Sequence, residues 1–377
     1  MNKTKDRQSN IELLRILAAL GVIILHYNNP TYGKGFTNAA PFSANQFVLI
    51  LLEALTICAV NVFVIITGYF MVNAKRADIF KPVRLLFQQV FFAIVSFAIC
   101  FIYLKGNFPK EKLVSFIAPL SWFTMIFSAL YLLSPFLNLL WHAMDYHARK
   151  TLLLVMFVLF SICSIIADIP QFLLNWKMQG VSFLGIEGDQ SGYNIIQFIF
   201  MYYLGCMIRD VSENGDKAGT ENKDFFHKIN KTGTAVCAYV MSTAVILGAT
   251  YVEMLVSKDL PPINSSFLDY NNPFVILQAV SLLVIFKNMK IQNTRLINST
   301  SASTFTVYIL HARFFELLGV GNYFPDQPLV LLGNVLVIAA AVYVLCDICH
   351  AAYGFITKPL GRFIESKWEK GRYISLQ

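Results

Sequence analysis

Ten apolar runs of bilayer-crossing length divide this chain, and they limit its fold more tightly than any other feature. A helix needs roughly 17–25 mostly apolar residues to cross the hydrocarbon of a membrane. Runs of this kind lie at about 11–27, 47–72, 83–104, 123–141, 151–169, 194–208, 233–256, 268–286, 301–320 and 328–356. The sixth and eighth are short or polar at one end, and the segment 113–121 is too short to cross and reads as interfacial or re-entrant. The residues AVILMFWYC make up 56% of the 377 positions, while charged residues fall to 14%, against about 25% in a soluble domain. Such a chain could not cover its surface with polar groups in water, so disorder, a coiled coil and an ordinary soluble enzyme are all disfavoured. The expected fold is all-α and polytopic, about ten transmembrane helices in a single integral-membrane domain over 1–377. No appended soluble domain, internal repeat or low-complexity tract is visible.

The net charge of +8 does not point to nucleic acid, because the basic residues are scattered between apolar runs and form no stripe. Their placement reports topology instead. Basic residues collect in loops on the cytoplasmic face of a membrane protein. With ten spans, 22 of the 30 Lys and Arg residues fall on the face that holds both termini. The opposite face takes Lys34, Lys105, Lys110, Lys112, Lys177, Lys258 and Arg313, and Arg15 lies inside the first span. An error of one helix would scramble this alternation. The expectation is a multi-pass protein of the cell membrane with both termini cytoplasmic, and its first apolar run reads as a retained helix because no small-residue cleavage site follows. The far-face connections 28–46, 170–193 and 257–271 carry Tyr32, Trp176, Glu187, Asp189, Tyr193, Asp269 and Tyr270. The cytoplasmic loop 209–231 reads as a solvated linker.

The seven cysteines lie almost wholly within apolar runs, where Cys behaves as a small hydrophobe, and they form no disulfide framework. Cys346-Asp347-Ile348-Cys349-His350 matches the C-x-x-C-H haem-attachment pattern, but it falls inside an apolar span and is not read as a haem site. No HExxH, P-loop or metal-ligand cluster occurs, so no metal is expected.

Ionisable residues inside membrane spans are costly and mark function by default. Arg15 and His26 both fall in the first span. Their separation of eleven residues returns to within about 20° of the same helix face, roughly 16 Å along the axis. A structural reading stays open beside the functional one: Arg15 could snorkel to the interface and His26 could cap the outer end. The acids Glu53, Glu253 and Glu316 lie toward the outer ends of spans. Each could orient a histidine, bind a sugar hydroxyl, or simply sit at the interface.

The stretch from Asn10 through Arg15 to His26 resembles the opening signature of the acyltransferase-3 family. The resemblance continues in order. Val62 to Phe70 resembles the F-x-x-S-G-[FY] element, with Thr67 in place of Ser before Gly68 and Tyr69. Lys81-Pro82-Val83-Arg84-Leu85 resembles R-x-x-R-I-x-P, with Lys81 for the first Arg and Phe87 for the Pro. Trp122-Phe123 followed by Tyr131 and Pro135 looks like the family's W-F/Y…Y-L-x-x-P helix. Tyr203-Leu204-Gly205 resembles Y-x-G, and Ser303 through Tyr308 to His311 is similar to S-x-x-Y-L-x-H.

That resemblance implies an integral-membrane O-acyltransferase of cell-envelope polysaccharides. Its acyl donor would be cytoplasmic acyl-CoA, acetyl-CoA by default and succinyl-CoA as the alternative. The acceptor would be a hydroxyl of a polysaccharide or glycolipid. The partners implied are acyl-CoA, that acceptor and membrane lipid, with no nucleic acid. Arg15, Lys81 and Arg84 would hold the CoA phosphates by charge-assisted hydrogen bonds; for Lys81 and Arg84 the positive-inside pattern is a competing explanation. His26 would be the general base, as imidazole suits proton transfer near neutral pH, with His311 a second polar group of the site or an interfacial histidine. Thr67, Tyr69, Trp122, Tyr131 and Glu253 are candidates for the substrate path. A non-enzymatic transporter or exporter of an envelope glycan, and a membrane sensor or scaffold, are the competing classes.

Overall fold

The computed structural model describes residues 7–103, 121–166, 191–214, 225–256, 262–367 and 373–375. Most of the expected segment 113–121 lies outside them, as do Lys105, Lys110, Lys112, Trp176, Lys177, Glu187, Asp189 and Lys258.

Among the described residues the chain folds into α1 (Ser9–Asn28), α2 (Gly35–Asn38), α3 (Ala44–Thr56), α4 (Ala59–Met71), α5 (Phe80–Tyr103), α6 (Trp122–Ala143), α7 (Tyr146–Phe157), α8 (Ile195–Asn214), α9 (Phe225–Ile229), α10 (Thr232–Val256), α11 (Pro273–Asn288), α12 (Arg295–Thr300), α13 (Thr304–Leu318) and α14 (Pro328–Lys367). The all-α expectation needs one small amendment. Strands β1 (Arg76–Asp78) and β2 (Tyr373–Ser375) pair antiparallel, Arg76 opposite Ser375 and Asp78 opposite Tyr373.

Nine helical segments among the described residues are long and apolar enough to cross a membrane, and they coincide with nine of the ten expected spans. The expected span 301–320 is the exception. It is the 15-residue helix α13, about 22 Å long at 1.5 Å per residue, too short to cross about 30 Å of hydrocarbon alone. The polar run Ser299-Thr300-Ser301 delays its start, and Gly319, in the left-handed region at φ 60°, ends it. Its sides pack on α14, α1 and α5, which removes the need for a full lipid-facing span. The second span is two helices, α3 and α4, broken at Ile57–Cys58. Just before the break the Thr56 hydroxyl donates to the Leu52 carbonyl at 2.7 Å, a back-bond that bends helices.

Local chemistry sets the other boundaries. Helix α1 stops because Asn29 precedes Pro30 and is extended (φ −63°, ψ 133°), the conformation imposed on a residue before proline. Pro135 lies within α6 and cannot donate to the Tyr131 carbonyl one turn earlier; the Ser134 hydroxyl donates to that carbonyl instead, at 2.7 Å. Ser121 caps α6 by accepting from the Thr124 N–H, and Asn272 caps α11 ahead of Pro273.

Helices α4 and α8 form the closest contact of the bundle. A methyl group placed on Gly68 would fall 1.9 Å from the Tyr202 carbonyl oxygen, and one on Gly205 would fall 2.2 Å from the Ile65 carbonyl oxygen. Only glycine lets the two backbones approach this closely, the usual device of helix packing in lipid.

The first turn of α1 and strand β2 lie at one end of the bundle. The Asn10 amide donates to the Phe286 carbonyl at 2.9 Å, and β2 pairs with β1 beside the start of α5. At the opposite end, Asn38 and Asn45 donate to the carbonyls of Gly321 and Pro325.

Candidate active site

A cavity of about 990 Å³ occupies the end of the bundle away from the termini. The last turn of α1, the loop after it, the α3–α4 break, the middle of α5, the start of α6 and helix α13 all contribute to its wall. His26, Trp122 and His311 line it, together with Glu53, Tyr32, Gln89, Tyr193, Asp269, Tyr270 and Tyr308.

The two histidines are tethered alike. His26 Nδ1 lies 2.9 Å from the Val22 carbonyl, and His311 Nδ1 lies 2.8 Å from the Val307 carbonyl, each one turn back on its own helix. A carbonyl oxygen only accepts, so in both rings Nδ1 carries the proton and Nε2 presents a lone pair. The ring centroids are 4.4 Å apart and meet edge to face at 71°. His26 is partly exposed, whereas His311 is buried and its Nε2 has no hydrogen-bond partner among the described residues. The ring of Tyr32 lies 5.0 Å from that of His26. Tyr193, exposed in the cavity wall, has its phenol pushed up chiefly by loss of water, which keeps it a neutral hydroxyl.

Glu53 is fully enclosed except toward the cavity, and the Asn28 amide donates to its Oε2 at 2.6 Å. Asn28 is in turn tied to the Leu49 carbonyl at 3.1 Å. Sequence showed a carboxylate in the second span but gave no sign that it borders the same cavity as His26. The aromatic residues Tyr32, Tyr193 and Tyr270 were legible only as aromatics of far-face loops; the part taken by Gln89 was missed altogether.

The cationic candidates gather at the other end, near the chain termini. Arg15 Nη1 is 3.1 Å from Glu12 Oε1 and its guanidinium lies 5.9 Å from the Phe70 ring. Glu12 is itself held by the Ser301 hydroxyl. Arg84 Nη2 is 3.0 Å from Asp78 Oδ2. Lys81 Nζ sits 4.3 Å from the Tyr131 ring centroid, within reach of the charges of Arg15 and Arg84. Both arginines carry a carboxylate partner. A guanidinium has five N–H donors, so a carboxylate on one edge leaves others for a phosphate.

Four of the five residues considered for the substrate path lie away from the cavity. Tyr131 accepts from the Asp78 N–H at 3.1 Å and belongs to the cationic cluster. Thr67 donates to the Phe63 carbonyl at 2.8 Å, and Arg209 stacks over the Tyr69 ring at 5.0 Å. Both flank Gly68, so this element, like Tyr203-Leu204-Gly205, serves the α4–α8 contact. Glu253 is buried and bonded by the hydroxyls of Ser265 and Ser266, the latter at 2.5 Å. It fastens the turn before α11 to the end of α10. The C-x-x-C-H match is likewise part of a helix, with His350 Nδ1 and the Thr306 hydroxyl 2.8 Å apart.

The profile of the acyltransferase domain matches residues 8–350, nearly the whole chain. Neither the curated proteins nor the solved structures give a match. A helical bundle with nine membrane-crossing segments among its described residues, and a histidine pair facing a large cavity, agree with that profile. The chain belongs to the acyltransferase-3 family of integral-membrane acyltransferases, an enzyme and not the exporter or sensor that its apolar pattern would also allow.

Proposed function

We propose that the protein moves an acyl group, acetyl before succinyl, from CoA on the cytoplasmic side to a hydroxyl of an envelope polysaccharide or glycolipid. The observation that carries this reading is the pair His26 and His311. One imidazole opens to the cavity with a lone pair on Nε2, and a second lies beside it with a buried, unpartnered acceptor. His26 Nε2 takes the proton of the acceptor hydroxyl as its oxygen attacks the thioester carbonyl. The tetrahedral intermediate collapses, the ester forms, the C–S bond breaks, and the proton passes to the departing CoA thiolate. Protonation turns His26 into a cation with two N–H donors. His311, neutral and acceptor-bearing, is placed to stabilise it.

Arg15, Lys81 and Arg84 support the donor assignment. They stand at the end of the bundle where the positive-inside rule places the cytoplasm, Arg15 about 16 Å along α1 from His26. Phosphates held there leave the thioester at the end of a long flexible arm directed toward the cavity. Incubating the purified protein with radiolabelled acetyl-CoA or succinyl-CoA and envelope glycan fractions tests the reading. Label transferred to glycan supports it; donor that is neither bound nor consumed under any acceptor condition overturns it.

A further inference from the structure

Two neighbouring glutamines on α5 are used differently. The Gln88 side chain donates to the Thr306 hydroxyl at 2.6 Å and ties α5 to α13. Gln89 is also buried, at 6% exposure, but its Oε1 is enclosed and has no hydrogen-bond partner among the described residues. A buried amide oxygen left unpaired is costly, and such groups are rare in folded proteins. Gln89 lines the cavity, so the missing partner can come from there.

The place of Gln89 in the wall points to what that partner is. Helices α1, α5 and α13 run from the cationic end toward the cavity, and the first residues on them to line it are Val22, Gln89 and Tyr308. Helix α4 runs the other way, and Val60 is its residue in the wall. These four form the floor on the side of Arg15, Lys81 and Arg84, and the two valines offer no hydrogen bond. Gln89 lies eight residues beyond Lys81, about 12 Å along α5, and His26 lies about 16 Å beyond Arg15 along α1. An arm reaching from the cations to His26 therefore passes Gln89 shortly before its end.

We infer that Gln89 holds the pantetheine arm of the acyl donor, its Oε1 accepting the N–H of the amide nearest the thioester. The inference rests on the acyl-CoA reading above. Between its phosphates and its sulfur the arm carries no charge, so its amides are what an otherwise apolar floor can recognise. The nitrogen of the amide nearest the thioester is joined to sulfur through two carbons, a link that fits the about 4 Å by which the two helical distances differ. A hydrogen bond at that nitrogen restrains the last rotatable part of the arm and holds the thioester carbonyl at a fixed depth beside His26. Gln89 thereby separates pantetheine thioesters from thioesters that lack this amide.

The test reads binding alone. The full chain in lipid nanodiscs is titrated by calorimetry with acetyl-CoA and with an isostere in which an ester oxygen replaces the N–H of that amide. The adenosine bisphosphate portion of CoA, which lacks the arm, is the third ligand. The unmodified protein is expected to bind the isostere about tenfold more weakly than acetyl-CoA. Gln89→Met, similar in length but without the amide, should bind the two within about twofold of each other and bind the adenosine bisphosphate as the unmodified protein does. A side chain that only packs would not tell N–H from oxygen. Should Gln89→Met fail to fold, Gln89→Leu replaces it, and the preference of the unmodified protein still decides. Equal affinity of the unmodified protein for acetyl-CoA and the isostere, the result if Gln89 bonds water instead, overturns the inference and leaves the donor reading standing. A preference that survives in the variant does the same. Acetyl-CoA that does not bind at all removes both.

Discussion

The rings of His26 and His311 are fixed 4.4 Å apart by like tethers to their own helices and both line the cavity, yet His26 is partly exposed there and His311 is buried. That difference assigns the roles. A base must reach the proton that it removes, which the more exposed ring does best, and the buried imidazole with its unpartnered nitrogen is placed to act through its neighbour.

Replacing His26 should therefore stop the chemistry and little else. A positioned general base contributes about 10²–10⁴-fold in rate. His26→Gln keeps a polar side chain of similar reach but cannot take the proton, and turnover is expected to fall by that factor with acyl-CoA affinity unchanged. Single-turnover assays beside calorimetry check this. Turnover above about a tenth of the unmodified rate would make His26 structural.

His311→Asn should lower the rate less than loss of the base does. In the double variant with His26→Gln the two losses should not add, because groups acting as a unit are non-additive. Multiplying effects in a double-mutant cycle would show that the two rings work independently.

The acyl donor prediction concerns the opposite end of the bundle. Arg15→Ala and Arg84→Ala should weaken acyl-CoA binding, and added salt should reproduce part of the loss, since exposed phosphate contacts are screened. Removing Arg15 also leaves Glu12 without its cation, so each variant needs a thermal-unfolding control. Unchanged affinity in both well-folded variants would remove the cluster from the donor site.

Gly68→Ala and Gly205→Ala should each force α4 and α8 apart, because the added carbon would fall on a backbone oxygen. Overpacking of this kind costs about 1–3 kcal/mol or more. Gly248→Ala in α10 is the control, since a methyl there meets nothing within 4 Å, and it should change stability by no more than about 1 kcal/mol, upward. Thermal unfolding in detergent reads both, and equal melting temperatures for all three variants would contradict the contact.

Glu253→Ala separates a structural acid from a substrate-binding one. Loss of its bonds to Ser265 and Ser266 should cost about 1–3 kcal/mol, while kcat and KM per folded molecule stay near those of the unmodified enzyme. A raised KM at unchanged stability would return Glu253 to the substrate path.

How much of this was legible in the sequence follows from what each signal measures. Hydropathy reports transfer into an apolar medium, so it gave ten spans, nine of which coincide with helices long enough to cross. It could not distinguish α13, which is buried against protein, from a helix bathed in lipid. The pair Arg15 and His26 was legible because helical periodicity fixes faces without reference to the rest of the fold. Thr67 and Tyr69 were not, since a motif shows which residues recur together and not which backbone lies against the glycine between them. Glu53 and Glu253 look alike in sequence, as carboxylates near the outer ends of spans. Only the fold shows that one borders the cavity and the other is bonded into a turn.

The continuity of α1 from Ser9 to Asn28 has one more consequence. Because Arg15 and His26 ride on a single unbroken rod, the helix itself is a ruler between the charge that would grip the acyl donor and the base. Removing one residue between them would shorten that ruler by only about 1.5 Å but swing one end by about 100°. The enzyme should thus tolerate many apolar exchanges along this stretch and almost no change in its length.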